Sequence, residues 1–506
     1  MSRTGHAAVA GLVAAVLAVV LLFGALTLAR ADVAPERVET SGYLRIMTRP
    51  DFQGGNSRLG FWNLYGRLLN EGPWVTLGLR LNILPRDPVT REAWTSVVAR
   101  IEGGSIANVD PRMGRLDALA LNQLYVQAGN VLLEDVTWQV GTLEYYLGDL
   151  SLYDLRVAQI FFETVGASAR WQTPRVDLVV GAGDSGYALR GDRYSTVFTV
   201  GGLARVRLGG QLELGLGGQL GVEPEVEGNR FAPHATPEVD YEDWLRGEVA
   251  ERWLDAHPGE AQNFPHPVAT SAASWKLIGY LGFGKLGALR WNNLYTSVER
   301  LHPEGFTSEL VDGQGFDLYV KELTDERFRL LVGDEAHFTL VPGRLELLWG
   351  GLVGVHWDGD NRIAPGDHNR RYASTVLRLQ LQVGERAALL AETSLAHEQS
   401  TQGNRYRRYG DSVFQSSGGI SDARGLEFGD TAERTTWQGK AGWVLAPLGA
   451  GVFSRPALRL LYGVQHSSQT NAFGNSFVES LDQSNLFGSP DQHWHHVLAV
   501  EAEAWF

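Results

Sequence analysis

The chain has 506 residues, a formal net charge of −14, 60 Gly, no Cys, and 15 Trp, 16 Tyr and 20 Phe. The acidic balance argues against nucleic-acid binding, which calls for a basic stripe. The lack of Cys excludes disulfide staples and nothing more.

Residues 1–31 read as a secretory signal. Arg3 gives the positive start, residues 7–28 are almost wholly apolar, and Ala29-Arg30-Ala31 offers a small-residue cleavage site. The mature chain then starts at Asp32; the alternative is an uncleaved anchor, since the apolar run is long enough to span a bilayer. No other uninterrupted apolar stretch has that length, which excludes a bundle of membrane helices. No domain boundary and no repeat is visible in residues 32–506, so one domain is expected there.

The next signal is a period of two. In residues 75–83 the odd positions are Val, Leu or Ile, while Thr76, Gly78, Arg80 and Asn82 take the other face. Residues 203–208 place Arg205 and Arg207 on one side, and residues 211–216 oppose Gln211 and Glu213 to Leu212, Leu214 and Leu216. Residues 372–384 repeat the pattern, with Arg378, Gln380 and Gln382 opposite Leu377, Leu379 and Leu381. In the last strand Leu498, Val500, Ala502, Ala504 and Phe506 share one face and Glu501, Glu503 and Trp505 the other. Strands of about 9–11 residues with a terminal aromatic predict an all-β transmembrane antiparallel barrel with a polar interior. A soluble sandwich shows the same period with inside and outside exchanged. Long external loops are expected near 86–122, 222–271 and 399–434. The second of them carries a short amphipathic helix at 241–256, with Trp244, Leu245, Val249, Trp253 and Leu254 near helical spacing.

Two metal-like stretches fail on inspection. His356 to Asn361 has carboxylates at alternate positions but lacks the later Glu of a calcium loop. His493, His495 and His496 have no obvious partner ligand. Neither a metal nor a cofactor is expected, and no Ser–His spacing singles out a nucleophile.

Several stretches resemble the maltoporin family of carbohydrate-selective outer-membrane porins. They are Gly42-Tyr43-Leu44-Arg45, then Arg58-Leu59-Gly60 followed by Tyr65, residues 349–361 from Trp349, and Phe453-Ser454-Arg455-Pro456-Ala457-Leu458-Arg459 ahead of the last strand. The similarity runs over most of residues 40–506 and is weakest at 84–122 and 222–275. It implies a barrel of about 18 strands, with about 16 the nearest alternative. It also implies a homotrimer and an oligosaccharide path along aromatic rings flanked by ionisable residues.

The resemblance carries the ring ladder onto Tyr43, Tyr65, Phe453 and Trp505, and channel-lining arginines onto Arg45 and Arg58. On a strand reading, Tyr65 shares its face with Asn63 and Arg67, against Leu64 and Leu68. Residues 138–154 resemble the stretch entering an inward-folding loop, with Asp154 on a family acidic position. Arg156 stands where the family has a tyrosine, Arg67 where it has a glutamate and Leu147 where it has an arginine. These departures imply a more cationic lumen. Trp94 takes the place of the ring that a neighbouring subunit lends. A sugar presents an apolar C–H face and a rim of hydroxyls, so rings with charged neighbours suit it. The expectation is a sugar-selective porin without enzymatic activity; the alternatives are a general diffusion porin, a barrel enzyme and a surface adhesin or receptor.

Overall fold

A computed structural model of the chain describes residues 37–48, 63–86, 91–103, 119–186, 196–209, 211–224, 272–301, 307–311, 314–318, 327–358, 370–400, 433–449, 451–468 and 493–506. The signal-like residues 1–31, Arg58 and the helix expected at 241–256 lie outside the described residues.

In chain order β1 is Val38–Thr48, β2 Trp74–Leu84, β3 Trp94–Gly103, β4 Ala120–Gly129, β5 Val136–Tyr146, β6 Gln159–Gln172 and β7 Val176–Asp184. Then come β8 Phe198–Leu208, β9 Leu212–Glu223, β10 Ala272–Leu286, β11 Leu289–Arg300, β12 Thr307–Val311, β13 Gln314–Leu318 and β14 Arg327–Val341. The last six are β15 Leu345–Asp358, β16 Arg370–Gln382, β17 Ala387–Ser400, β18 Glu433–Leu445, β19 Ala457–Ser467 and β20 Trp494–Trp505. β12 and β13 form a separate hairpin; the other strands make one 18-stranded antiparallel sheet, closed where β1 pairs β20. Connections at one end are short, such as 173–175 and 287–288, and those at the other are long, such as 401–432. Phe506 and the start of β1 share the short-turn end, the periplasmic end of such barrels.

The alternation of the sequence becomes the two faces of the wall. Leu77, Leu79, Leu81 and Ile83 of β2 are exposed on the outside. On β16, Tyr372, Ser374, Val376, Arg378 and Gln380 point inward and are buried. Apolar outside a closed barrel answers the sandwich alternative: the outer face is built for hydrocarbon, the inner for a filled lumen.

The interior is not simply polar, and here the expectation needs correction. Two connections fold into the barrel. Between β1 and β2, a 3-10 turn at Asn63–Tyr65 and the residues up to 73 lie against β16–β20; between β5 and β6, residues 147–158 cross to β14–β16. Leu64, Leu147, Leu150, Leu152 and Val157 pack on the inward side chains Val179, Leu203, Ile278, Leu331, Leu348, Leu352 and Val376. Each leucine so buried contributes about 1.5–3 kcal/mol relative to lumen water. The inward course of 147–158 is as the sequence predicts.

Two further expectations change. The stretch 86–122 is not one long loop, because it contains β3 and the start of β4. Trp94 opens β3, on the same strand face as inward Ser96; it is 6% exposed, and a side chain on Gly129 would run into its ring. A ring held under its own wall has nothing to lend a neighbouring pore.

Candidate functional site

The first inward segment is held by carboxylates that each take several cations, and the second by Glu335, which accepts from the Leu152 N–H at 2.7 Å and from Ser151 Oγ at 2.5 Å. On β17, Glu398 receives Arg370 and Arg434, and Tyr65 Oη donates to its Oε2 at 3.0 Å. Six residues away on the same face, Glu392 meets Arg378 Nε at 2.6 Å and Lys440 Nζ at 2.7 Å, and Lys440 also donates to the Tyr65 carbonyl at 2.8 Å. On β20, Glu503 lies 2.8 Å from Arg67 and 2.7 Å from both Arg455 and Arg459, with Tyr43 Oη donating to it at 3.1 Å. Arg459 also pairs with Glu501, and Arg45 with Glu71. Burial pushes the Glu71 carboxyl up to about 8, with Asp154 adding to the rise and Arg45 opposing it.

Two cavities lie among the described residues of the lumen. The first, about 660 Å³, is lined by Tyr43, Arg67, Asp154, Phe453 and Trp505, together with Trp291, Tyr295, Arg378 and Arg455. The structure thus brings five of the sequence-predicted residues together. Tyr43 and Trp505 are cross-strand partners at the barrel seam, with ring centroids 6.5 Å apart, and the Arg455 guanidinium lies 5.3 Å from the Trp505 ring. Phe453, in the turn before β19, sits 6.1 Å from Trp291. The second cavity, about 590 Å³, also touches Asn293 and Tyr295 and continues along Tyr280, Tyr145, Tyr125, Gln123, Gln127 and Gln139. Tyr280 and Tyr295 stack at 5.1 Å, and the Arg205 guanidinium lies 5.2 Å from the Tyr280 ring.

Three ring pairs therefore mark the inner wall: Tyr43 with Trp505, Phe453 with Trp291, and Tyr295 with Tyr280. Sequence reasoning missed Trp291, Tyr295 and Tyr280. The signal was present, since Trp291, Asn293, Tyr295, Ser297 and Glu299 occupy every second position of β11 and face inward. Gly148 stands where the two cavities meet. Its φ is +149°, and a Cβ there would collide with Tyr295 Oη.

Other predicted residues fall elsewhere. Tyr65 is not on a strand and does not face water; it lies in the 3-10 turn, fully buried, as a clamp on Glu398. Leu64, Leu68 and Leu69 beside it are buried too, so no alternation holds there. Arg45 is 7% exposed behind Tyr43, bound to Glu71 and to the Gly72 carbonyl at 2.8 Å. Arg156 pairs with Glu144 and covers the Tyr146 ring at 4.3 Å, which places it beside the second cavity. Arg67 shares Glu503 with Arg455 and Arg459, so a single carboxylate meets three guanidinium groups there.

The closed sheet, the apolar outer band, and the start of β1 and end of β20 at the short-turn end define a multi-pass outer-membrane β-barrel. No family model and no curated protein matches the chain. Solved outer-membrane barrels are similar at fold level. OccK3 (OpdO) of Pseudomonas aeruginosa has 11% identity over 93% of this chain and 95% of its own, with a TM-score of 0.40. Wzi of Escherichia coli, titled a carbohydrate-binding β-barrel of group 1 capsule assembly, has 11% identity over 92% and 84%, with a TM-score of 0.37. A loop-deleted OmpT of Vibrio cholerae has 8% identity over 93% and 99%, with a TM-score of 0.37. At these identities they assign no residue a role.

Proposed function

We propose that this barrel is a maltoporin-like channel through which oligosaccharides diffuse across the outer membrane without chemistry. The observation that carries the reading is the series of three ring pairs on the walls of two cavities that share Asn293 and Tyr295. Ring faces at Trp505, Trp291 and Tyr280 suit the apolar face of a sugar, and Arg455, Asp154 and the glutamines suit its hydroxyls. Weak contacts repeated along a path are what transport needs, because the solute must leave as readily as it enters. Assembly as a homotrimer belongs to the same proposal and comes from the family resemblance.

The test is single-channel conductance of the purified protein, titrated with neutral and acidic oligosaccharides. Saturable block that weakens in Trp505→Ala and Trp291→Ala supports the proposal. Ohmic conductance indifferent to every sugar overturns it.

A further inference from the structure

On the outer wall the apolar band ends at one row of the sheet, near the long-loop end. Across β10, β11, β14 and β15 that row reads Trp275, Arg300, Phe328, Trp357. The outward row beneath it reads Leu277, Val298, Leu330, Val355 and, on β16, Arg371. The Phe328 and Trp357 rings stack with centroids 5.4 Å apart, and Trp275 lies 6.3 Å from Phe328 on the other side. Trp357 and Arg371 are exposed, and Arg300 and Trp275 are partly so. Among the described residues neither Arg300 nor Arg371 has a carboxylate partner. The inward cations of the same strands differ, since Lys276 and Arg329 both pair with Glu299. Glu433, the outward carboxylate on the Arg371 row, stands two strands away and takes Gln399 Nε2 at 3.0 Å.

A guanidinium on the lipid side of a barrel belongs where the hydrocarbon stops, and at the long-loop end that boundary is the headgroup level of the outer leaflet. Rings at this level form a girdle on their own account, but two arginines without counter-ions on either side of them call for an anion. A guanidinium holds a phosphate through two parallel N–H bonds, and an exposed ring suits the C–H face of a sugar. Arg300 and Arg371 are three strand spacings apart, about 14 Å across the sheet, a span that suits phosphates at the two ends of a disaccharide headgroup. We propose that this rim of β10, β11, β14, β15 and β16 holds a phosphorylated glycolipid of the outer leaflet, with Arg300 and Arg371 on its phosphates and Trp357 against a sugar ring. A phospholipid offers the phosphate without the sugar face. The surface lies outside the lumen and stands whether or not the barrel carries sugar, and it leaves the outer faces of β1–β9 and β17–β20 for contacts between copies.

The probes are diphosphoryl lipid A, its dephosphorylated form and phosphatidylglycerol. Each is added to delipidated protein in neutral detergent and counted per barrel by native mass spectrometry, and the heat-dependent shift in gel mobility confirms that each variant is folded. Diphosphoryl lipid A should bind roughly tenfold or more tightly than either of the others, the range of a charge-assisted hydrogen bond. Arg300→Gln combined with Arg371→Gln should remove that preference. Arg290→Gln, which changes an exposed outward arginine at the short-turn end of β11, should leave it intact. Equal binding of lipid A with and without its phosphates, phosphatidylglycerol binding as tightly as lipid A, a preference retained in the double variant, or one lost equally in Arg290→Gln would each overturn the proposal.

Discussion

Replacing Glu398 tests the idea that carboxylate sockets hold the first inward segment in place. Arg370 and Arg434 have fully buried side chains, Glu398 is 1% exposed, and Tyr65 Oη donates to the same carboxylate at 3.0 Å. Glu398→Ala leaves two guanidinium groups in the interior without their counter-ion and removes the acceptor of the Tyr65 hydroxyl. Breaking such a buried pair costs about 3–5 kcal/mol. At about 1.4 kcal/mol per factor of ten, the population with the segment unseated rises roughly 100- to 4,000-fold. Leu64, fully buried one residue before Tyr65, supplies the reporter: Leu64→Cys is a lone thiol in a chain with no other. Its labelling by a water-soluble maleimide should accelerate by that factor when Glu398→Ala is added. Glu398→Gln, which keeps an acceptor for Tyr65 but not the charge, should fall between. An unchanged labelling rate in Glu398→Ala would refute the socket argument.

Tyr65→Phe should leave sugar block of the conductance unchanged and lower the stability measured by urea unfolding by about 1.5–3 kcal/mol or more, for the lost hydrogen bonds to Glu398 and from Arg434; a weakened block would return Tyr65 to the solute path. Trp291→Ala and Tyr295→Ala should each weaken block roughly 2- to 10-fold, the range of a lost ring contact of about 0.5–1.5 kcal/mol. Gly148→Ala should lower conductance, because the added methyl group meets Tyr295 Oη where the cavities join. For Glu71 the folded pKa of about 8 lies above the ordinary 4.5, so the folded state keeps a proton that the unfolded chain releases. Stability should therefore fall as pH rises from about 4.5 to about 8 and level off beyond, and Glu71→Gln should flatten that slope of the urea midpoint against pH.

The barrel was legible because its lipid face is written at a strict period of two, and that period survives in β2, β16 and β20 without knowledge of any partner strand. Trp505 and Tyr43 were legible for the same reason: each is a ring on the polar side of a regular strand. Tyr65 was misread because Asn63–Tyr65 mimics two steps of alternation, whereas the segment turns inward and buries Leu64, Leu68 and Leu69 together. Trp94 was placed in a loop because β3 alternates weakly, with Val97, Val98 and Ala99 in succession. The sockets were invisible for a deeper reason. Arg67 and Glu503 are 436 residues apart, and only strand register and the path of an inward segment bring them together.

That register also changes the meaning of the arginines. Counted along the sequence, Arg45, Arg67 and Arg156 make the lumen cationic; in the fold Arg67 and Arg156 face the carboxylates Glu503 and Glu144, while Arg45 faces Glu71, whose carboxyl burial pushes up to about 8. Arg378 and Arg455 at the first cavity share their carboxylates with other cations, Glu392 with Lys440 and Glu503 with Arg67 and Arg459, so these sockets hold more cations than carboxylates. A guanidinium that shares its carboxylate with other cations keeps part of its attraction for a passing anion and presents N–H groups of fixed direction. The rings carry no charge, and Trp505 stays half exposed on the cavity wall. On the proposed sugar path, solutes would then be distinguished by the match of an apolar face to Trp505, Trp291 and Tyr280 together with hydroxyls placed to meet the directed arginine N–H groups.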